Sequence, residues 1–301
     1  MTALSNRKKA KLEQIKSKFD ELIESKGADG IFLREALSAI KSVLEETIEE
    51  LAEDGKTALI RSQKPIKIIH EVVKTSLKNF GVNPNNIKPA LGASSGELKL
   101  AGFLKKKDQD ICVVPNGIEP IEESMTDGLL AGQLDEFGLE LTGQIVSVNV
   151  RSQLSSLGNN IDTLYERTFA EALNLHMRCP SMCLGEVYMI PVYEYDKHKA
   201  QRRRVDWVDA MSPIETYIKA FGAINSRISV ADEFYKYERV CLLIVDFSEN
   251  VPKVYNTDVE LKADGLIPNN SKASITHLNY DNFIAELIAT YSARFPANTF
   301  S

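Results

Sequence analysis

The feature that most constrains this fold is a change of pattern near residue 83. Before it, apolar residues recur every three or four positions with Lys and Glu between them, over residues 12–23, 33–51 and 66–80. This spacing is typical of amphipathic helices. After residue 83, short apolar runs alternate with helical ones. We therefore predict an α/β fold, a mixed sheet flanked by helices, with an N-terminal helical segment.

The boundary between the two parts coincides with Asn83-Pro84-Asn85-Asn86, a turn-forming sequence. It divides the chain into a helical N-terminal segment, residues 1–82, and a core, residues 83–301. Clusters of β-branched and apolar residues predict strands at 97–103, 110–114, 144–150, 183–195 and 240–247. Helical spacing predicts helices at 159–176, 214–228 and 278–295, and a long connection rich in Gly, Glu and Asp covers 116–142.

Composition narrows the class of protein. The net charge of −6 is unlike that of proteins that coat nucleic acid non-specifically, although a local basic groove can exist in an acidic chain. No apolar run reaches 18 residues, the first eleven residues are polar and basic, and four cysteines do not make a disulfide framework. We therefore expect a soluble, cytoplasmic protein with no membrane span.

Several motifs of catalytic proteins are missing from the sequence. There is no Walker-type phosphate loop, no G-x-G-x-x-G and no G-x-S-x-G. His176, Cys179 and Cys183 have a loose metal-ligand spacing, but structural zinc sites usually present four ligands. Cys112 and Cys241 lie in apolar strands and are expected to be core residues.

The residues that best indicate chemistry precede the predicted strand 110–114. Asp110 stands at the mouth of this apolar strand, which would hold its carboxylate rigidly at the edge of the sheet. Carboxylate oxygens, joined by a backbone carbonyl of the next strand, are ligands that suit Mg²⁺. Such a site could activate water to attack a phosphodiester. An ordinary strand-edge carboxylate remains the alternative for Asp110.

The order of elements around Asp110 resembles that of the PD-(D/E)xK nuclease superfamily of type II restriction endonucleases. Asp110 lies on one strand and Asn149-Val150-Arg151 on the next, followed by a helix and a further strand. The resemblance implies a restriction-endonuclease-like sheet. It also implies Mg²⁺-dependent cleavage of double-stranded DNA at a specific sequence, within a restriction-modification system. It covers about a third of the chain, including residues 97–103, 149–156 and 166–176.

The chain departs from the family motif at its second half. Asn149 is a weaker ligand than a carboxylate, and Arg151 does not release a proton as a lysine can. Some relatives take the second carboxylate from the following helix, which implies that Glu166 binds metal beside Asp110, with Glu171 in reserve. Arg151 would hold the scissile phosphate or the attacking hydroxide, and Gln153 is the alternative.

For several other acidic residues, the sequence leaves two possible roles open. Glu97 spells the E-x-K motif with Lys99 but precedes the Asp110 strand, so it is either an active-site residue or half of a cross-strand ion pair. Glu166 could equally lie on a solvent-exposed helix face with local pairs. Glu186, in an apolar strand, needs a partner and either joins a core ion pair or supports the site. Glu71 could also reach the site.

Basic and polar residues suggest where DNA would bind. Lys105, Lys106 and Lys107 precede Asp110 and would contact phosphates, whereas Arg202, Arg203 and Arg204 would contact either base edges or phosphates. Ser155, Ser156 and Asn160 belong to the loop after the third strand. Cleavage of both strands of a palindrome favours a homodimer, with the N-terminal helices as its interface or as an arm that clamps DNA.

Two other functions remain open. The first is a DNA-binding or assembly protein that keeps the nuclease fold without its chemistry, for which the missing lysine is the best argument. The second is an unrelated α/β enzyme that uses Glu97, Lys99 or Glu186 on a small substrate. A neutral or acidic cleft around Asp110 would favour the second alternative.

Overall fold

The N-terminal part of the fold is helical. The structure is a computed structural model that describes residues 5–93, 95–296 and 300, without the side chains of residues 159 and 160. The first helices are α1 (Asn6–Lys26), α2 (Leu33–Arg61) and α3 (Lys64–Asn79). The Ser5 side chain caps α1, and Pro65 lies in the first turn of α3, where its missing N–H costs no helical hydrogen bond.

Strands follow in short, closely spaced segments. They are β1 (Ile87–Lys88), β2 (Lys99–Ala101), β3 (Lys106–Asp108), β4 (Ile111–Val113), β5 (Glu123–Ser124), β6 (Leu134–Asp135), β7 (Val146–Ser152), β8 (Cys183–Pro191), β9 (Arg239–Asp246) and β10 (Lys253–Tyr255). Within the described residues, six of them form one mixed sheet in the order β1-β4-β7-β8-β9-β10. The pairs β7–β8 and β8–β9 are parallel, and the others in this sheet are antiparallel.

The remaining helices connect and cover these strands. They are α4 (Gly138–Thr142), α5 (Leu157–His176), α6 (Lys197–Gln201), α7 (Ile214–Ala223), α8 (Asp258–Ala263) and α9 (Tyr280–Arg294). Helix α5 joins the parallel strands β7 and β8, as a parallel connection requires. The small hairpin β2–β3 lies outside the main sheet and directly precedes β4.

Apolar side chains cover both faces of the sheet. On β7, Val146, Val148 and Val150 belong to the apolar cluster that includes residues of α1, α2, α3 and α9. Residues of β8 that point the other way, such as Leu184 and Tyr188, pack in a second cluster with α5 and α7. Because successive strand residues point to opposite faces, Asn149 and Arg151 lie on the α5 side of β7.

The predicted fold class, a mixed α/β sheet flanked by helices and preceded by a helical segment, is confirmed at this level. The strand predicted at 183–195 ends earlier, at Pro191, because the chain turns away and Tyr195 pairs with Trp207 instead. The predicted connection 116–142 contains β5, β6 and α4. Apolar residues of α1, α2 and α3 share one core with the sheet. The proposed role of residues 1–82 in dimerisation or DNA clamping stays a prediction.

Candidate active site

A row of polar side chains crosses three adjacent strands on the α5 side of the sheet. Asn149 pairs with Glu186 in the β7–β8 register, and Ile111 pairs with Val148, so Asp110 lies beside Asn149. The Val150 amide donates to Oδ2 of Asp110 at 2.8 Å, which fixes the carboxylate against β7. The sheet register therefore brings Asp110 and the Asn149-Val150-Arg151 segment together, although about forty residues separate them in sequence.

This row borders a cavity of about 720 Å³. Helix α3, the β2–β3 hairpin, the end of β7, helix α5 and β8 all contribute to its wall. Among the described residues, five basic and four acidic side chains line it, so it is neither acidic nor strongly basic. They are Arg61, Lys67, Lys107, Arg151 and Arg167, against Glu97, Asp108, Asp110 and Glu171.

Arg151 is held by three acceptors. Its Nη1 donates to Oγ1 of Thr168 at 3.1 Å, its Nη2 forms an ion pair with Glu171, and its Nε lies 3.5 Å from Oε1 of Glu186. Burial would lower the pKa of this guanidinium, but the charge of Glu186 raises it above its ordinary value. Arg151 therefore remains a cation and ties α5 to β8.

The two acidic residues of α5 lie in different places. Glu171 is buried, lines the cavity and pairs with both Lys107 and Arg151. Glu166 is exposed and does not line the cavity in the described part of the chain. Five residues turn an α-helix by about 140°, so the two carboxylates cannot share one face. The carboxylate that the structure places near Asp110 is the reserve candidate, Glu171.

Lys107 enters the cavity from β3 and forms an ion pair with Glu171. Burial and the nearby charge of Arg151 lower its pKa to about 8. Its strand is anchored through Gln109, whose buried side chain donates to the Lys107 carbonyl at 3.1 Å and accepts from Ser147 Oγ at 2.9 Å. We call Lys107, Arg151, Glu171 and Glu186 the cavity cluster.

Glu186 is the deepest member of the cavity cluster. Its side chain is fully buried, and neither of its oxygens has a hydrogen-bond partner in the part of the chain that the structure describes. Burial raises its pKa to about 7, against the opposing charges of Arg151 and Lys107. Oδ1 of the neighbouring Asn149 is likewise buried and unpartnered among these residues. These unpartnered oxygens lie next to Arg151, which lines the cavity, but neither Asn149 nor Glu186 is among the described residues that line it.

His70 is a cavity residue that sequence reasoning did not identify. It lies on α3, and burial lowers its pKa to about 4 despite the nearby charge of Asp110. A neutral imidazole therefore stands beside Asp110 near neutral pH. Its position among the buried residues Ile66, Ile69 and Val73 was the only available signal, since it places His70 on the apolar side of α3.

Glu97 and Glu71 are both held by lysines of α3. Glu97 lines the cavity and accepts from Lys67 Nζ at 2.7 Å, which lowers its pKa. Glu71 pairs with Lys74 at 2.6 Å and accepts from the Gly92 amide at 2.8 Å. It lines a neighbouring cavity of about 430 Å³ instead of the one around Asp110.

Both polar groups of the Gln153 side chain are hydrogen-bonded within the protein. Its Oε1 accepts from the Tyr217 hydroxyl at 2.5 Å, and its Nε2 donates to the Ser156 carbonyl at 2.9 Å. The side chain is buried, and it is not among the described residues that line the cavity. Gln153 thus stabilises the loop after β7, and Arg151 is the member of this predicted pair that faces the cavity.

The predicted DNA-binding residues fall into two groups. Arg202, Arg203 and Arg204 are exposed and follow α6 in the chain. The first residue of α6, Lys197, has its Nζ 3.5 Å from Ser156 Oγ in the loop after β7. Ser155 is half-buried in the same loop, and the side chain of Asn160 lies outside the described residues. Lys105 is exposed, whereas Lys106 contacts the Leu134 carbonyl. None of the three arginines is among the described residues that line the cavity.

The region around His176 is a buried charge cluster. His176 Nε2 lies 3.4 Å from Oε2 of Glu238, whose Oε1 lies 3.1 Å from Arg227 and 2.8 Å from Arg294. We call these four residues the Glu238 cluster. Burial raises the pKa of the Cys179 and Cys183 thiols to about 12. Throughout the described ranges, no group of three or more His, Cys, Asp or Glu is arranged to hold a metal.

Comparisons with known proteins add no relative. No family model matches the chain, and neither the curated proteins nor the solved structures gave a significant match. None of the helices in the described residues is long and apolar enough to cross a membrane.

Proposed function

We propose that this chain is a site-specific endonuclease that hydrolyses phosphodiester bonds of double-stranded DNA with Mg²⁺, as type II restriction enzymes do. One observation carries the proposal. Asp110 before β4, Arg151 on the adjacent strand β7 and Glu171 on the following helix α5 face one cavity. Their order along the chain is the order that the resemblance implies. A cytoplasmic location belongs to the same proposal.

The donors in the cavity fit a hard cation in kind. Mg²⁺ is commonly held by one or two carboxylates, with water and substrate phosphate completing its coordination. Asp110 and Glu171 supply two carboxylates at the cavity wall. Glu171 now neutralises Lys107 and Arg151, so a bound cation would share this carboxylate with them. When bound, Mg²⁺ supplies charge that stabilises the transition state and acidifies water.

The chain's own residues would prepare the site for a phosphodiester. The Val150 amide orients Asp110, and Arg151 holds Glu171 towards the cavity. Arg61 and Arg167 place positive charge along the wall, whereas Lys67 is paired with Glu97. The resulting near-neutral balance of the described lining is also what the second alternative, an α/β enzyme acting on a small substrate, would present. The exposed arginines Arg202–Arg204 would supply further contacts to DNA phosphates outside the cavity.

A homodimer is part of the proposal, because a two-fold symmetric DNA site calls for a two-fold symmetric reader. The alternative is a DNA-binding or assembly protein without catalysis. One observation favours that alternative: Arg151 is committed to three protein acceptors, so it does not replace the lysine of the motif in a simple way.

The test is incubation of the purified protein with plasmid and phage DNA, with Mg²⁺ or with EDTA, beside the variant Asp110→Asn. We expect discrete fragments that require Mg²⁺, and a loss of at least about 1000-fold in the variant, because several kcal/mol of transition-state stabilisation depend on the metal. Asp162→Asn, a change of an exposed aspartate on α5, is the matched control and should cut normally.

Each other outcome has a definite meaning. Fragments that persist in Asp110→Asn would keep the activity and reject this site. Intact DNA with a sequence-selective shift in gel mobility would favour the non-catalytic alternative. Neither binding nor cleavage would reject a function on DNA. Circular dichroism spectra of both variants establish that each is folded.

A further inference from the structure

Arg151 has little left to offer a substrate. Each guanidinium nitrogen already faces an acceptor within the protein: Thr168, Glu171 or Glu186. Only 18% of its side chain is exposed. A guanidinium presents its donors in a fixed planar fork, so it cannot turn toward a phosphate without releasing these partners. This geometry is that of a residue that positions carboxylates, here those of Glu171 and Glu186.

Lys107 is placed differently. Its side chain is 30% exposed within the cavity, and it forms an ion pair with Glu171. An ammonium group carries three donors that rotate freely about its stem, so it can keep Glu171 and accept a second anionic partner. Asp110 and Glu186 both lie within electrostatic range of it.

The backbone of Lys107 is also fixed relative to Asp110. The Gln109 side chain bonds both the Lys107 carbonyl and Ser147 on β7, and the Gln109 amide donates to the Leu98 carbonyl at 2.9 Å. These bonds secure the β2–β3 hairpin against the sheet. Lys107 and Asp110 therefore enter the cavity from one short, anchored segment of chain.

Resting on the proposed function, we propose that Lys107 is the catalytic cation that contacts the scissile phosphate, and that Arg151 is a positioning residue that holds Glu171 and Glu186. Lys107 on β3 would thus take the place of the motif lysine that β7 lacks. Asp110 and Lys107 come from one short segment of chain, whereas Arg151 and Glu171 come from β7 and α5.

The first test measures DNA affinity as a function of salt concentration in EDTA, where no cleavage takes place. Each phosphate contact contributes about 0.9 to the slope of log affinity against log salt. We expect Lys107→Met to lower the slope by about this amount, whereas Arg151→Lys keeps the wild-type slope. Lys272→Met, a change of an exposed lysine after α8 that does not line the cavity, is the control.

The second test measures single-turnover cleavage with Mg²⁺. We expect Lys107→Met to lose at least about 100-fold, as removal of a positioned charge at a reacting phosphate does. Lys107→Arg should recover part of this loss, because it restores the cation. A merely structural role of Lys107 would not predict a change in the salt slope together with rescue by arginine.

Several outcomes would overturn the assignment. It fails if Lys107→Met keeps both the wild-type slope and the wild-type rate, or if Arg151→Lys lowers the slope instead. If wild-type protein binds DNA but does not cut, the nuclease proposal fails while the salt slopes still decide whether Lys107 contacts phosphate. If wild-type protein does not bind DNA at all, both proposals fall together.

Discussion

The cavity cluster and the Glu238 cluster each bury a glutamate on the main sheet or at its edge, and the pKa values of the two glutamates shift in opposite directions. Glu238 lies at the start of β9, where Arg227, Arg294, His176 and the Leu184 amide all contact its carboxylate. Burial raises its pKa, but these partners together bring it below the ordinary value. Glu186 forms an ion pair with Arg151 at 3.5 Å, and its pKa rises to about 7 because of burial.

This difference separates a structural ion cluster from a candidate site. The Glu238 cluster joins α5, β8, β9 and α9 around a carboxylate that has partners at both of its oxygens. In the cavity cluster, Lys107, Arg151 and Glu171 line an open volume, and Lys107 and the fully buried Glu186 beside them both have strongly shifted pKa values. Charged side chains with shifted pKa values gathered at a cavity are typical of a functional site.

The largest expected effect belongs to the Glu238 cluster. Glu238→Ala would leave Arg227 and Arg294 buried without their common counter-charge, and breaking a buried ion pair in this way costs about 3–5 kcal/mol. We therefore expect the free energy of unfolding, measured by urea denaturation, to fall by that amount. A loss below about 1 kcal/mol would contradict the structural role assigned to this cluster.

The next effect concerns the choice between the two glutamates of α5. We expect Glu171→Gln to lower the rate of DNA cleavage by at least about 100-fold, or about 3 kcal/mol, because Glu171 supplies charge at the cavity. Glu166→Gln, an equivalent change on the exposed face of the same helix, should stay within about twofold of wild type.

Single-turnover cleavage of a plasmid by both variants checks this prediction. Equal losses would remove the distinction between the faces of α5. A loss confined to Glu166→Gln would restore the assignment based on sequence spacing.

The smallest effect is a pH dependence of stability caused by Glu186. Its pKa is about 7 in the folded protein and about 4.5 when unfolded, so the folded state binds more protons between these values. Stability from this group is therefore complete below about pH 4.5 and is lost as the pH rises through 7. Glu186→Gln does not titrate and should lack this loss.

We expect the difference in unfolding free energy, variant minus wild type, to become more favourable by about 2 kcal/mol between pH 5 and pH 8. Urea denaturation in EDTA at the two pH values measures it, and comparison with wild type removes contributions of other groups such as His70. A difference that does not change with pH would mean that Glu186 has an ordinary pKa.

Much of the fold could be predicted because it depends on local pattern. The runs that became β4, β7 and β9 are rich in β-branched and apolar residues, and α5 and α9 showed helical spacing. The long connection was not resolved into β5, β6 and α4, because strands of two residues carry no detectable alternation. Strand ends were also missed where a tertiary contact, such as that of Tyr195 with Trp207, decides where the chain turns.

The candidate site could be predicted only in part. Asp110 and Arg151 were identified from their positions on successive strands, and both line the cavity. Glu171 was a reserve candidate. Thr168 and Ala172 on the same helix are buried, so a position on the buried side of α5 was the signal that could have favoured Glu171 over Glu166. His70 lies about eighty residues from Arg151 and reaches the cavity only through the packing of α3, which no local pattern reveals.

The sequence by itself determined the mixed α/β class, the strand that carries Arg151, and Asp110 as the acidic residue before the adjacent strand β4. It could do so because periodicity and turn residues act over a few positions. The tertiary structure alone decided that Glu171 faces the cavity, that Arg151 is enclosed by acceptors and that Lys107 is directed toward Glu171. These facts depend on the rotation of α5 and on the docking of a hairpin, and packing between distant segments determines both.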